Sequence, residues 1–273
     1  MSTLERDDYV IGTHEPEVAR LGLQHRVWRP HMRAAWALAG VGAGHRIADL
    51  GAGPGYATLD LAAVVGPTGH VDALERSQKF LAVLRAAVSE RGLRQVSVVE
   101  ADLEAAALPL ERLDATWCRW VLSFLREPEA LVARIAAALR PGGTAIFHEY
   151  LDYRAWRGAP AFPALERFVV AVVASWRAHG GEADVGLKLP AMLARAGLRI
   201  VHAAPMSFFA APGEPMWEWT AAFLTGGAAR LVDIGLLSAA ENEALQSGFA
   251  EFSRQPESRM LTPTVLELIA VKA

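Results

Sequence analysis

The chain has 273 residues, is 52% apolar and carries a net charge of −3. That is apolar matter enough for one large domain, or for a domain with an elaborated cap. No long basic run marks a nucleic-acid groove. The longest apolar stretch, FVVAVVA at 168–174, falls far below the roughly 20 residues a membrane helix needs. The lone cysteine, Cys118, excludes an internal disulfide and fits a reducing compartment. The first residues, MSTLERDDYV, hold early acids and lack the apolar core of a signal peptide. The expectation is a soluble, cytoplasmic protein, monomer or homodimer, with neither nucleic acid nor membrane as partner.

In chain order, Glu15–Leu38 has apolar residues at helical spacing, with Pro30 as a kink or break. From residue 46 strands and helices alternate. Arg46–Leu50 reads as a strand, Tyr56–Val65 as a helix closed by the turn GPTG, and His70–Glu75 as a second strand. Gln78–Arg91 is a helix ending at Gly92, followed by strands at Gln95–Glu100 and Leu113–Arg119. Glu127–Leu139 is a helix stopped by PGG, and Thr144–Glu149 is a fifth strand.

The alternation loosens after Tyr150. Helices are predicted over Leu165–Arg177, Leu189–Ala196, Glu214–Val232 and Ala239–Phe252. Strands are predicted over Arg199–Phe209 and Val265–Val271, the last adding at a sheet edge beside its predecessor, with antiparallel pairing open to it. Strands separated by helices imply right-handed crossovers and a sheet covered on both faces. The fold class is therefore α/β: a Rossmann-like, mostly parallel seven-stranded sheet with helices on both faces and a helical lid. One domain spans 1–273. A helical cap takes 1–44, the alternating core 45–150 and lid insertions 151–185 and 213–255, while 186–212 and 256–273 hold the remaining sheet elements.

The stretch RIADLGAGPGYATLDLA, 46–62, sets three glycines after the first strand. In an open parallel sheet ligands bind at the carboxyl ends of the strands, where this loop lies. Bare backbone there suits either a phosphate or an amino-acid carboxylate. The spacing Gly51, Gly53, Gly55 departs from the nicotinamide fingerprint, because Tyr56 stands where its third glycine falls. Asp49, two residues upstream, suits an ammonium group.

The run DLGAGPG, which includes Ala52, resembles motif I of the class I S-adenosylmethionine-dependent methyltransferases. VDALERS is similar to their second-strand motif, VEADLE to their adenine motif, and LDATWCRWVLSFLREPEALVARIAAALRPGG to their fourth strand, helix and turn. The resemblance covers about 45–150 and implies S-adenosylmethionine as cofactor and S-adenosylhomocysteine as product. It implies that Glu75, with Arg76 beside it, binds the ribose hydroxyls. Asp102 takes the adenine amine with the Leu103 amide near the ring, and Arg119 and Trp120 border the methionine end.

The acceptor side is less defined. FHEYLDY follows the fifth strand, so His148, Glu149, Tyr150 and Tyr153 are candidates to face the acceptor, with His148 and Tyr150 on one face as the catalytic pair. The segment from Tyr9 to Pro30 is similar to the cap helices of ubiquinone and menaquinone biosynthesis methyltransferases, which implies that Tyr9, Gln24, His25 and Trp28 wall the site. A plain amphipathic helix, with Trp28 in the core, is the other reading. Aromatic residues such as Trp156, Trp176 and Trp219 suit either a ligand wall or an ordinary core. No histidine or cysteine set has metal-ligand spacing, so no metal is expected. The function implied is methyl transfer to a small organic acceptor. The alternatives are non-methylating chemistry with the same cofactor, or non-catalytic binding.

Overall fold

The structure is a computed structural model and describes residues 15–105 and 108–273. In chain order the elements are α1 (Glu15–Leu38), β1 (Arg46–Leu50), α2 (Tyr56–Val65), β2 (His70–Glu75), α3 (Gln78–Glu90), β3 (Val96–Glu100) and β4 (Leu113–Arg119). There follow α4 (Pro128–Ala138), β5 (Leu139–Asp152), β6 (Arg157–Ala159), α5 (Pro163–Ala178), α6 (Leu189–Arg195) and β7 (Leu198–Met206). Last come β8 (Phe209–Ala210), α7 (Pro215–Asp233), α8 (Ala239–Phe252), β9 (Arg259–Leu261) and β10 (Thr264–Lys272).

Seven strands form one sheet in the order β3-β2-β1-β4-β5-β10-β7. The five from β3 to β5 run parallel, and β10 lies antiparallel to both its neighbours. The order reverses at β1, which pairs with β2 on one side and β4 on the other, so a crevice opens above the carboxyl ends of β1 and β4. One face packs Leu131, Ile135 and Val132 of α4 with Met192 and Leu193 of α6. The other packs Met32 and Trp36 of α1 with Leu61 and Val65 of α2.

A separate aromatic core lies under α5, α7 and α8, and Trp28 of α1 reaches into it. Helix α1 thus spans two cores: Trp28 belongs to the lid, Met32 and Trp36 to the sheet. Pro30 breaks nothing; α1 runs through it. The position is solvent-exposed, so water can take the carbonyl that proline leaves without a donor.

Two expectations are corrected. The last strand is not at the edge: β10 lies between β5 and β7. It buries Val265, Leu266, Leu268, Ile269 and Ala270, apolar on both faces, as a central strand requires, whereas the largely exposed β7 takes the edge. The PGG after α4 lies inside β5, which begins at Leu139 paired with Leu113 and resumes after an irregularity at Thr144 paired with Ala115. A small antiparallel sheet, β6-β9-β8, was not expected; its strands are two and three residues long, too short for a period to register.

Candidate cofactor and acceptor site

The backbone of the loop after β1 is left-handed at alternate residues. Two glycines there have different reasons to be bare. At Gly55 (φ 90°) a Cβ would fall 2.1 Å from Leu84 Cδ1 of α3, so the helix–loop packing excludes one. At Gly53 (φ 56°) a Cβ would meet nothing within 4 Å, because it faces an open cleft. Correspondingly Gly51, Ala52 and Gly53 line that cleft and Gly55 does not.

The cleft holds about 540 Å³ and lies over the carboxyl ends of β1, β2 and β4. Glu75 ends β2 at its wall. Its Oε2 accepts from the Gly53 amide at 2.8 Å, and its Oε1 accepts from the amides of Arg76 at 2.9 Å and Ser77 at 2.8 Å. Three backbone donors fix the carboxylate: Oε1 takes two of them, and Oε2, with one, keeps acceptor capacity toward the cleft. Ser77 also caps α3, whose first turn places Phe80 in the same wall. Asp102 stands at the exposed rim, its Oδ1 accepting from the Glu104 amide at 2.9 Å, and buried Leu103 lies beside it.

The inner end of the cleft is charged. Asp49 is 2% exposed and accepts from the Thr58 hydroxyl at 2.6 Å. Burial pushes its carboxyl up to about 6, against the Thr58 hydrogen bond and the nearby Arg119 cation. Burial brings Arg119 down to about 10, with Asp49 opposing, so the guanidinium stays cationic at neutral pH. It lies 5.1 Å over the Trp120 ring, with Nη1 3.8 Å from Met32 Sδ. A cation and an anion at the inner end of one cleft can receive the two ends of an amino-acid group.

Gln24, Trp120 and Phe124 separate this cleft from a second, narrow cavity. Trp120 has a left-handed backbone (φ 52°), and its amide donates to the His148 carbonyl at 2.9 Å. Its ring stacks on both Tyr150, at 5.6 Å and 20°, and Trp219, at 5.7 Å and 14°. The strained backbone is thus held by rings on either side. Tyr150, Tyr153, Trp156 and Trp176 continue the wall of the second cavity. Gln24 Oε1 accepts from Trp219 Nε1 and from Arg20 Nη1, both at 3.1 Å, and so joins α1 to α7.

Other expected site residues lie elsewhere. His148 shares a strand face with Tyr150, yet it is fully buried and lines neither cavity. Its Nε2 lies 3.0 Å from Glu267 Oε2, its ring packs edge-on against Trp28 and Trp117, and burial pushes its pKa down. It is a core histidine rather than one facing an acceptor. Glu149 is corrected likewise: it points to the opposite sheet face and lines no cavity. Its Oε1 accepts from the amides of Val121 at 2.8 Å and Leu122 at 2.9 Å, and its Oε2 from Ser123 Oγ at 3.1 Å. It anchors the loop after β4, and burial pushes it up to about 7.

Trp28 is fully buried among Trp120, Phe208 and Trp219 and is core. His25 stacks on Tyr56 and meets Asp60 Oδ2 at 3.1 Å; burial lowers it to about 4, and it lines neither cavity. Tyr9 lies outside the described residues. Sequence reasoning missed Ser77, Phe80 and Phe124 in the cleft and Arg20 in the second cavity. Of these, Ser77 alone had a local signal, a serine at the cap of a predicted helix. Among the described residues no group of three or more His, Cys, Asp or Glu has a metal-holding arrangement, and no helix is long and apolar enough to cross a membrane.

Residues 47–143 match the sequence family described as "Methyltransferase domain". The ubiquinone/menaquinone biosynthesis C-methyltransferase UbiE of Pseudomonas fluorescens is 31% identical over 130 residues, 47% of this chain and 50% of that one. The chain thus spans about half the length of the curated relatives it matches. Among solved structures, a putative methyltransferase from Bacillus halodurans superposes with a TM-score of 0.60 at 17% identity, covering 88% of this chain and 98% of that one. The [4+2]-cyclase SpnF superposes at 0.56 with 18% identity, covering 89% of this chain and 80% of that one. At such identities the structural likeness speaks for the fold, and the matched segment contains the glycine loop, Glu75, Asp102 and Arg119. Residues 47–143 are thus similar to a methyltransferase domain, and the chain has a Rossmann-like α/β fold.

Proposed function

We propose that the protein transfers the methyl group of S-adenosylmethionine to a small organic acceptor. The observation that carries this is the placement of Glu75, tied to Gly53, in a cleft of about 540 Å³ whose inner end holds Asp49 and Arg119. The donor and acceptor set fits the cofactor. Glu75 offers its Oε2 to the adjacent ribose hydroxyls, and Asp102 offers an acceptor to an exocyclic amine. Asp49 and the Arg119 guanidinium suit the ammonium and carboxylate of the methionine end. S-adenosylmethionine supplies an activated methyl group on a sulfonium, so the chain's part is alignment and exclusion of water.

Trp120, Gln24 and Phe124 border both cavities and are the residues suited to align an acceptor with that methyl group. Tyr150 lines the second cavity and takes the acceptor-facing role in which His148 had been paired with it. Helices α1, α5, α7 and α8 serve as the lid, and their aromatic core keeps the acceptor side dry. A reducing, cytoplasmic setting agrees with the single, buried Cys118. The test is to incubate the protein with S-adenosylmethionine and a panel of small metabolites and to follow S-adenosylhomocysteine. Product that depends on one acceptor class supports the reading. Tight S-adenosylhomocysteine binding without turnover on any acceptor would favour non-methylating chemistry, the activity named for the cyclase sharing this fold.

A further inference from the structure

The loop after β3 carries Asp102, Leu103 and Glu104 along the cleft wall. Within it, the Glu104 amide donates to Asp102 Oδ1 at 2.9 Å and the Ala105 amide to the Asp102 carbonyl at 3.0 Å. Two arginines support it from outside. Arg126 meets the Glu104 side chain, but that guanidinium is exposed and the ion pair is screened by water. Arg134, half-buried on α4, grips the backbone itself: Nη2 donates to the Leu103 carbonyl and Nη1 to the Ala105 carbonyl. Its Nε is buried and has no partner among the described residues. An open buried donor is costly, so the side chain is placed by the two carbonyls and not by its own full satisfaction.

We infer that Arg134 is a positioning residue for nucleobase selection, fixing Asp102 so that it accepts from the exocyclic amine of adenine and from no other donor on the ring. The inference rests on the proposed assignment of Asp102 to that amine. Arg134 lines neither cavity, so it acts through the loop. The Leu103 carbonyl and the Glu104 N–H belong to one peptide unit, and in a planar trans peptide they point opposite ways. With the carbonyl drawn toward Arg134, the N–H faces back to Asp102 Oδ1. The carboxylate is thereby held at one oxygen, and Oδ2 stays open at the rim. Hypoxanthine carries an oxygen where adenine has its amine, and its nearest donor lies one ring position away, at N1. A carboxylate free to turn could reach that N–H; one held at Oδ1 meets the oxygen instead and is repelled. Holding the acceptor still is what turns a hydrogen bond into discrimination.

The experiment measures, by titration calorimetry on the full chain, the affinities of S-adenosylhomocysteine and S-inosylhomocysteine, its hypoxanthine counterpart. The wild-type chain should prefer the adenine form by about tenfold or more. R134M keeps an unbranched, helix-favouring side chain but loses both donors, and should bring that preference below about threefold. R134K offers a compact ammonium in place of the planar fork and should lose preference as well. It decides the matter if R134M does not fold. A merely structural role would lower both affinities alike and leave their ratio as it was, so an unchanged ratio in a folded variant overturns the inference alone. A wild-type chain that binds both nucleosides equally also overturns it, removing Asp102 from the amine while leaving the cofactor in the cleft. Binding of neither nucleoside removes the cofactor reading itself, and this inference with it.

Discussion

The amide of Gly53 and the carboxylate of Glu75 are 2.8 Å apart, so the glycine loop after β1 is tied to the tip of β2 by the group assigned to the ribose. All three donors to that carboxylate are backbone amides. A glutamine at position 75 must turn its own N–H₂ toward at least one of them. Glu75→Gln should therefore weaken S-adenosylhomocysteine binding by about 1–3 kcal/mol, from lost charge-assisted hydrogen bonds and a loosened loop. Titration calorimetry reads this directly, and an unchanged affinity removes Glu75 from the ribose role.

Two glycines two residues apart should fail differently. Gly55→Ala puts a methyl group into Leu84 and strains a left-handed backbone, so it should cost the fold a few kcal/mol, lowering the melting temperature by roughly 5–10 °C. Gly53→Ala meets no protein atom, so its cost to the fold is backbone strain alone, about 1 kcal/mol. Its methyl group projects into the cleft, so cofactor affinity should fall more than stability does. Thermal melts with and without S-adenosylhomocysteine distinguish the two, and equal behaviour would show that position 53 does not face the ligand.

Asp49 gives a pH dependence with a definite sign. Its folded value is raised from the ordinary 3.8 to about 6 by burial. The unfolded chain ionises first, so this group's contribution to stability is fully present below pH 4 and is lost as pH rises through about 6. Asp49→Asn keeps an acceptor for Thr58 and should raise the stability of the free protein at pH 8 by on the order of 2 kcal/mol, with no gain below pH 4. The same change should weaken cofactor binding, because the ammonium loses its partner. In the native protein, binding at pH 6 should release about half a proton, since the ligand favours the ionised carboxylate. Calorimetry in two buffers of different ionisation enthalpy measures it, and proton uptake would refute the assignment.

Glu149 is the hidden support of the site. It accepts from Val121, Leu122 and Ser123 in the loop that follows Trp120. Glu149→Gln sets an N–H₂ group against those donors and should cost about 2 kcal/mol, a melting shift of roughly 4–8 °C. S-adenosylhomocysteine affinity should fall with it, because Val121 and Phe124 also line the cleft. A variant with an unaltered melting temperature would show that the loop does not depend on this carboxylate.

The contrast between Glu75 and Glu149 shows what the sequence makes legible. Glu75 sits at a strand end beside a glycine loop, and both features are local, so spacing and residue type place it. The strands β1 to β4 and the helices between them are equally local, and their predicted bounds agree with the structure to within a residue. Glu149 and His148 also follow from strand alternation, but which sheet face opens to a cavity depends on the helices laid over it. The side occupied by Trp28 and Trp117 is closed over His148, and nothing within its own strand says so. The insertion of β10 between β5 and β7 likewise rests on pairing across more than a hundred residues, legible only afterwards in its two apolar faces. The second cavity arises from side chains of α1, β5, α5 and α7 meeting in space, which no spacing records.

The most direct test of the account is a crystal structure of the protein with S-adenosylhomocysteine. The account predicts both ribose hydroxyls on Glu75, the amino-acid end between Asp49 and Arg119, and the sulfur facing Trp120 and the narrow cavity. A cleft left vacant at saturating ligand, or a nucleoside seated away from Glu75, would contradict it.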